Sequence, residues 1–250
     1  MASHGVTRTN RSRTEEQKKQ DLDKITKYRD LEDQVRSQVA DANFTPELLK
    51  LTSRLLRLNP EYYTIWNVRR RSDDAGSSDP SGDDGARYDR AREEAREKDL
   101  DSLRSELGFT VPLLMEFPKC YWIWNYRSWL LQQAIDRLDP AVARRIWEEE
   151  LGLDTKMLSK DRRNFHAWGY RRNVVSHLES AALNGKSMVE SEFEFTTKMI
   201  RVDLSNFSAW HNRSKLIPRL LDERRADESA RKKFFDDGMV YSIFPNLRRG

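Results

Sequence analysis

The sequence predicts an all-α fold, a right-handed superhelix of antiparallel helical hairpins. Three observations point there. First, an aromatic residue, a tryptophan and an arginine recur three residues apart at four places: Tyr63-x-x-Trp66-x-x-Arg69, Tyr121-x-x-Trp124-x-x-Arg127, Phe165-x-x-Trp168-x-x-Arg171 and Phe207-x-x-Trp210-x-x-Arg213. The tryptophans follow one another at 58, 44 and 42 residues, a near-constant period that signals a repeat array. Second, apolar residues return fifteen, eleven and ten positions before each tryptophan: Leu51, Leu55 and Leu56; Phe109, Leu113 and Leu114; Leu153, Met157 and Leu158; Phe195, Met199 and Ile200. Spacings of four and five lie on one helical face. Third, no stretch alternates with the period of two that a strand requires.

Taken in order, residues 1–13 read as a disordered basic tail containing His4, Arg8, Arg11 and Arg13. Thr14 to Ala42 reads as a helix. It starts with a capping box at Thr14-Glu15-Glu16-Gln17 and carries a stripe of Leu22, Ile25, Leu31, Val35 and Val39. Each repeat is then a hairpin. Asn59-Pro60, Phe117-Pro118, Asp161-Arg162 and Asp203-Leu204 are expected to end the first helix and cap the second. The second helix continues with Leu130-Leu131, Val174-Val175 and Leu216-Ile217 in repeats two to four. After Arg71 the first repeat runs into a flexible acidic insert at 72–85, rich in Asp, Ser and Gly, which lengthens the first spacing. Pro112 falls inside the first helix of repeat two and should restart or kink it there. The helical-repeat domain spans 14–237, and 238–250 reads as an irregular tail.

With 45 basic and 41 acidic residues and a net charge of +4, the chain lacks the field of a dedicated nucleic-acid binder. Its one cysteine, Cys120, excludes an intrachain disulfide framework and fits a reduced, cytoplasmic home. No run of 18 apolar residues is present, so membrane insertion is not expected. There is no glycine-rich phosphate loop. Cys120 and the four histidines have no zinc-ligand spacing, so no metal is expected on this chain. Trp66, Trp124, Trp168 and Trp210 read as inter-repeat core, since a stacked hairpin needs one large wedge against its neighbour. Arg69, Arg127, Arg171 and Arg213 are either structural or partner-facing.

Two stretches carry a resemblance. Asn59-Pro60-x-x-Tyr63-Thr64-x-Trp66-Asn67-x-Arg69-Arg70 and Arg163-Asn164-Phe165-His166-Ala167-Trp168-x-x-Arg171-Arg172 closely resemble the repeat of protein prenyltransferase α subunits. The resemblance covers roughly residues 14–237. Thr14-Glu15-Glu16-Gln17, Glu106-Leu107-Gly108-Phe109 and Ser205-Asn206-Phe207-Ser208-x-Trp210-x-x-Arg213-Ser214 look most like the Rab geranylgeranyltransferase (type II) branch. The resemblance implies a crescent of hairpins around a β subunit that carries the catalytic zinc and most of the isoprenoid pocket. It implies transfer of geranylgeranyl from its diphosphate to C-terminal cysteines of a Rab GTPase presented by a Rab escort protein. Lys119 matches the lysine that the family's α subunit lends to the diphosphate site, Tyr121 is the matching aromatic, and Arg163 holds the same repeat position one hairpin later. Family α subunits carry further repeats, so the resemblance marks this chain as shortened at its C-terminus. Two other readings stay open: the shared α subunit of farnesyltransferase and type I geranylgeranyltransferase, and a non-catalytic helical scaffold.

Overall fold

The computed structural model describes residues 14–76 and 85–241, with the side chains of 86–88 and 237–241 left aside. Among the described residues there are ten α-helices, one 3-10 turn and no strand. The tail at 1–13, the middle of the acidic insert (77–84) and residues 242–250 lie outside them. The chain divides into two units, Met1–Ser77 and Ser78–Gly250.

The first unit holds α1 (Glu15–Ala40), α2 (Pro46–Leu58) and α3 (Tyr63–Gly76). Thr14 and Gln17 form the expected capping box at the start of α1. The expected stripe is only half used. Leu31 and Val35 are buried, whereas Leu22 and Ile25 are 64% and 48% exposed. The reason is length. At 1.5 Å per residue the 26 residues of α1 reach about 39 Å, and the 13 of α2 about 20 Å, so α2 can cover only half of α1. Tyr28 and Glu32 of α1 take hydrogen bonds from Asn59 Nδ2 (3.3 Å) and the Tyr62 hydroxyl (2.6 Å), fixing α1 to the turn between α2 and α3. The expected insert also begins later than its composition suggests. Ser72 through Gly76 complete α3, with Ser72 buried and its hydroxyl on the Val68 carbonyl (3.0 Å).

The second unit pairs α4 (Gly85–Glu116) with α5 (Tyr121–Arg137), α6 (Pro140–Lys160) with α7 (Phe165–Leu178) and α8 (Val189–Val202) with α9 (Phe207–Glu223). A 3-10 turn, Ala181–Leu183, links α7 to α8, and α10 (Glu228–Tyr241) follows. Residues 238–241 therefore continue a helix where an irregular tail is expected. Packing of α5 on α6 and α7 joins the second and third hairpins. Pro112 does not divide α4, and Pro218 likewise lies inside α9. A helix this well packed outweighs the local cost of a proline, since tertiary burial dominates intrinsic propensity. Leu113 and Leu114, directly after Pro112, are buried.

The turns are built differently from expectation. Asn59, Asp161 and Asp203 end the first helices, and their Oδ1 atoms accept the amides of Glu61, Arg163 and Ser205 two residues on. The caps of the following helices come three residues later. Asn164 Oδ1 accepts from the His166 and Ala167 amides, and Asn206 Oδ1 from the Ala209 amide. The same two side chains tie hairpin to hairpin, since Asn164 Nδ2 donates to the Pro118 carbonyl (2.9 Å) and Asn206 Nδ2 to the Arg162 carbonyl (3.0 Å). Asn206→Ala removes both bonds from a residue with no exposed surface and should cost about 2 kcal/mol. Asn206→Asp keeps the cap, loses the donor and should cost less. Urea midpoints check this: equal midpoints of the two variants would dismiss the cap, and an Asn206→Asp midpoint equal to wild type would dismiss the link between turns.

Candidate functional site: the turn edge of the hairpins

Each repeat side chain has one job, and the geometry separates them. The indole Nε1 of every signature tryptophan donates to the carbonyl six residues earlier, in its own turn: Trp66 to Pro60 (2.9 Å), Trp124 to Pro118 (2.9 Å), Trp168 to Arg162 (2.8 Å) and Trp210 to Leu204 (2.8 Å). In two of them the ring also wedges against the next hairpin, Trp124 against Tyr170 at 5.0 Å and Trp168 against Phe195 at 5.8 Å. Trp66, Trp124 and Trp168 are buried core. Trp210 is only half-buried, a departure from the core role expected of it.

The four arginines are interior groups of this chain, none more than 4% exposed. In each hairpin Nη1 donates to a threonine hydroxyl of the first helix: Arg69 to Thr52 (2.8 Å), Arg127 to Thr110, Arg171 to Thr155 (2.9 Å) and Arg213 to Thr197. Arg69, Arg127 and Arg213 also reach the carbonyls of Leu49, Leu107 and Phe193. Two arginines bridge to the following hairpin by forked ion pairs. Arg127 Nε and Nη2 meet Glu150 of α6 at 2.7 and 2.5 Å, and Arg171 Nε and Nη2 meet Glu192 of α8 at 2.8 and 2.6 Å. Burial by itself would depress the Arg127 guanidinium, but the facing Glu150 carboxylate more than offsets it and the pKa is raised. Arg213, buried against the Phe193 ring at 3.6 Å and near Arg201, is lowered to about 10, desolvation being the main cause.

In each unit, the exposed members of the repeat motif lie where the turns meet the second helices. The first residue of each second helix points outward: Tyr63 (54% exposed) in the first unit, and Tyr121 (51%), Phe165 (70%) and Phe207 (79%) in the second. His166 lies between Phe165 (ring centroids 3.9 Å) and Tyr121 (6.4 Å), and His211 stacks on Phe207 at 6.4 Å. Lys119 sits in the turn before Tyr121, its side chain 76% exposed and its Nζ 3.8 Å from Asp161 Oδ2. Arg163 occupies the equivalent place one turn on but is held firmly. Its Nε and Nη2 grip the Asp203 carboxylate at 3.0–3.3 Å, and Nη2 also reaches Ser205 Oγ at 2.8 Å. The Ser205 hydroxyl and the Arg163 guanidinium hold Asp203 below the usual carboxylate range. Of the two basic residues, Lys119 is thus the one able to meet an incoming anion without breaking a forked pair. The helix it precedes also differs, since Cys120 caps α5 without a side-chain hydrogen bond, where Asn164 and Asn206 cap α7 and α9.

Lys119, Tyr121 and His166 therefore share one stretch of this edge, while Arg163 is committed to the next turn. Sequence reasoning considered His166 only as a partner for Cys120, and missed its place beside Tyr121 and the exposed aromatic row. The signal was there in the position of each aromatic: as first residue of its helix it has no preceding turn to bury it. It also missed the cap and link role of Asn164 and Asn206, legible in an asparagine four residues before both tryptophans. Among the described residues no group of three His, Cys, Asp or Glu side chains could hold a metal ion, and no helix is long and apolar enough to cross a membrane.

Comparison with known proteins agrees hairpin by hairpin. The model of the protein prenyltransferase alpha subunit repeat matches residues 45–71, 103–134, 147–178 and 189–220, which are the four hairpins in order. The chain is 36% identical over 188 residues to the geranylgeranyl transferase type-2 subunit alpha of Candida albicans, covering 74% of this chain and 46% of that protein. It is 36% identical over 191 residues to the subunit of the same name from Saccharomyces cerevisiae, covering 76% and 51%. The chain thus spans about half the length of the curated relatives it matches. Among solved structures, Candida albicans protein geranylgeranyltransferase-I complexed with GGPP superposes with a TM-score of 0.55 over 90% of this chain and 68% of that one, at 20% identity, a likeness of fold. The four tryptophan-latched hairpins, matched one by one in sequence, make this chain a member of the protein prenyltransferase α subunit family.

Proposed function

We propose that this chain serves as the α subunit of a type II (Rab) geranylgeranyltransferase, acting as an αβ heterodimer and inactive without its partner. The relatives at 36% identity carry that name. The observation that carries the reading at the level of the site is Lys119, an exposed, loosely paired ammonium beside an exposed tyrosine at a helix start. There the ammonium and the positive end of the α5 dipole add together, and both favour an anion. As the bond between the isoprenoid carbon and the diphosphate oxygen breaks, negative charge grows on the leaving diphosphate. A lysine already in position stabilises that charge more than it stabilises the ground state, which lowers the barrier. Tyr121 and His166 would shape the wall beside it.

In this reading the catalytic zinc belongs to the β subunit, where it would supply a thiolate at the acceptor cysteine. The exposed aromatic edge is the surface offered to that subunit. The Rab GTPase, its escort protein, geranylgeranyl diphosphate and a cytoplasmic location complete the proposal.

Co-expression with candidate β subunits tests it. The expected result is a co-purifying heterodimer that prenylates an intact Rab presented by an escort protein and leaves single-cysteine CaaX peptides largely unmodified. Preference for the CaaX peptide would reassign the chain to the farnesyltransferase and type I group, and failure to capture any β subunit would remove the proposal. Lys119→Ala should lower turnover by about tenfold or more at unchanged heterodimer yield, with Arg163→Ala the milder variant. Undiminished turnover in Lys119→Ala would exclude that residue from the site.

A further inference from the structure

Where the third hairpin meets the second and the fourth, the interior holds three carboxylates and two guanidiniums: Glu150 and Asp154 on α6, Glu192 on α8, Arg127 on α5 and Arg171 on α7. Two of the carboxylates are matched by forked pairs, Glu150 by Arg127 and Glu192 by Arg171. Glu150 also accepts the Tyr170 hydroxyl at 2.7 Å. Asp154 is the third. Its side chain has no exposed surface, Arg171 Nη1 reaches its Oδ2 at 3.4 Å, and its Oδ1 has no hydrogen-bond partner. That same Nη1 makes a shorter bond, 2.9 Å, to Thr155. Counting the charges makes the problem plain. With both guanidiniums already neutralised, an ionised Asp154 would be a buried net charge, which a protein interior tolerates poorly.

We propose that Asp154 folds as its neutral acid and is a proton-binding site in this joint, so that losing the proton loosens α6 from α7 and α8. Burial, with Glu150 and Glu192 adding to it against the opposing pull of Arg171, pushes the carboxyl up to about 7. In the unfolded chain the same group titrates at the ordinary aspartate value, about 3.9. Its contribution to stability is therefore complete below about pH 4, declines as pH rises toward 7, and is flat above.

The test compares the wild-type chain with Asp154→Asn in urea unfolding between pH 5 and pH 8. Asparagine copies the neutral acid, so pH effects from every other group cancel in the comparison. The folding constant of Asp154→Asn relative to wild type should rise by about tenfold per pH unit from 5 to 7 and level off beyond. A ratio that does not change with pH would mean an aspartate ionised throughout and would overturn the proposal. Glu192→Gln is a second route should Asp154→Asn not fold. It hands the charge of Arg171 to Asp154, which should then ionise. Refolding wild type from urea at pH 5.5 in dilute buffer should take up about one proton per chain more than refolding Glu192→Gln. Equal uptake would likewise overturn it.

Discussion

Arg127→Ala should destabilise the chain by about 3–5 kcal/mol, a large part of what holds an ordinary domain together. Arg127 joins three helices. From α5 it bonds the Leu107 carbonyl (2.7 Å) and the Thr110 hydroxyl of α4, and it grips both oxygens of Glu150 on α6. Most of the loss comes from what is left behind, namely a buried Glu150 carboxylate facing only the Tyr170 hydroxyl. Arg127→Lys should also be poorly tolerated, since an ammonium cannot reproduce the fork. Replacing both partners, Arg127→Met with Glu150→Leu, should recover most of the loss, because an apolar pair of similar volume leaves no stranded charge. Guanidinium denaturation of the single and double variants measures this. A single variant no worse than a surface arginine substitution would refute the central place given to the ion pair.

Trp168→Ala should cost a similar amount, about 3–5 kcal/mol, for a different reason. The indole is 2% exposed, latches its own turn through Nε1 and packs on Phe195 of the following hairpin. Removing it opens a cavity at a joint that later hairpins depend on. Trp168→Phe keeps much of the apolar area and loses the bond to the Arg162 carbonyl, so about 1–2 kcal/mol is expected. Trp210→Ala should also be milder than Trp168→Ala, since Trp210 is half-buried. Urea midpoints ranked Trp168→Ala below both other variants would support the wedge. Equal losses at Trp168 and Trp210 would show that the latch within one hairpin, and not the wedge between hairpins, carries the energy.

Much of this was legible beforehand because hairpin repeats write the same side chains at the same spacing. The ends of the first helices at each turn and the tryptophan core of the first three repeats follow from local pattern alone, whereas Lys119 was singled out by the family resemblance. The failures are those of local pattern. Leu22 and Ile25 belong to a regular stripe, yet no period reveals that α2 is too short to meet them. Ser72–Gly76 reads as loop by composition, but a buried serine bonded back to Val68 keeps it helical. Pro112 reads as a break, and its buried neighbours keep the helix whole.

The sequence by itself determined the fold class, the number and order of hairpins and the family, because these depend on periodicity and residue type, which are properties of the chain read in one dimension. Only the tertiary structure decided what each repeated residue does. It turned the four arginines inward, the aromatic before each tryptophan outward, fastened Arg163 to Asp203 and left Lys119 exposed. Those outcomes turn on charges and surfaces tens of residues apart. Whether a guanidinium meets a carboxylate or water is settled by which helix packs beside it, and spacing along the chain does not encode that.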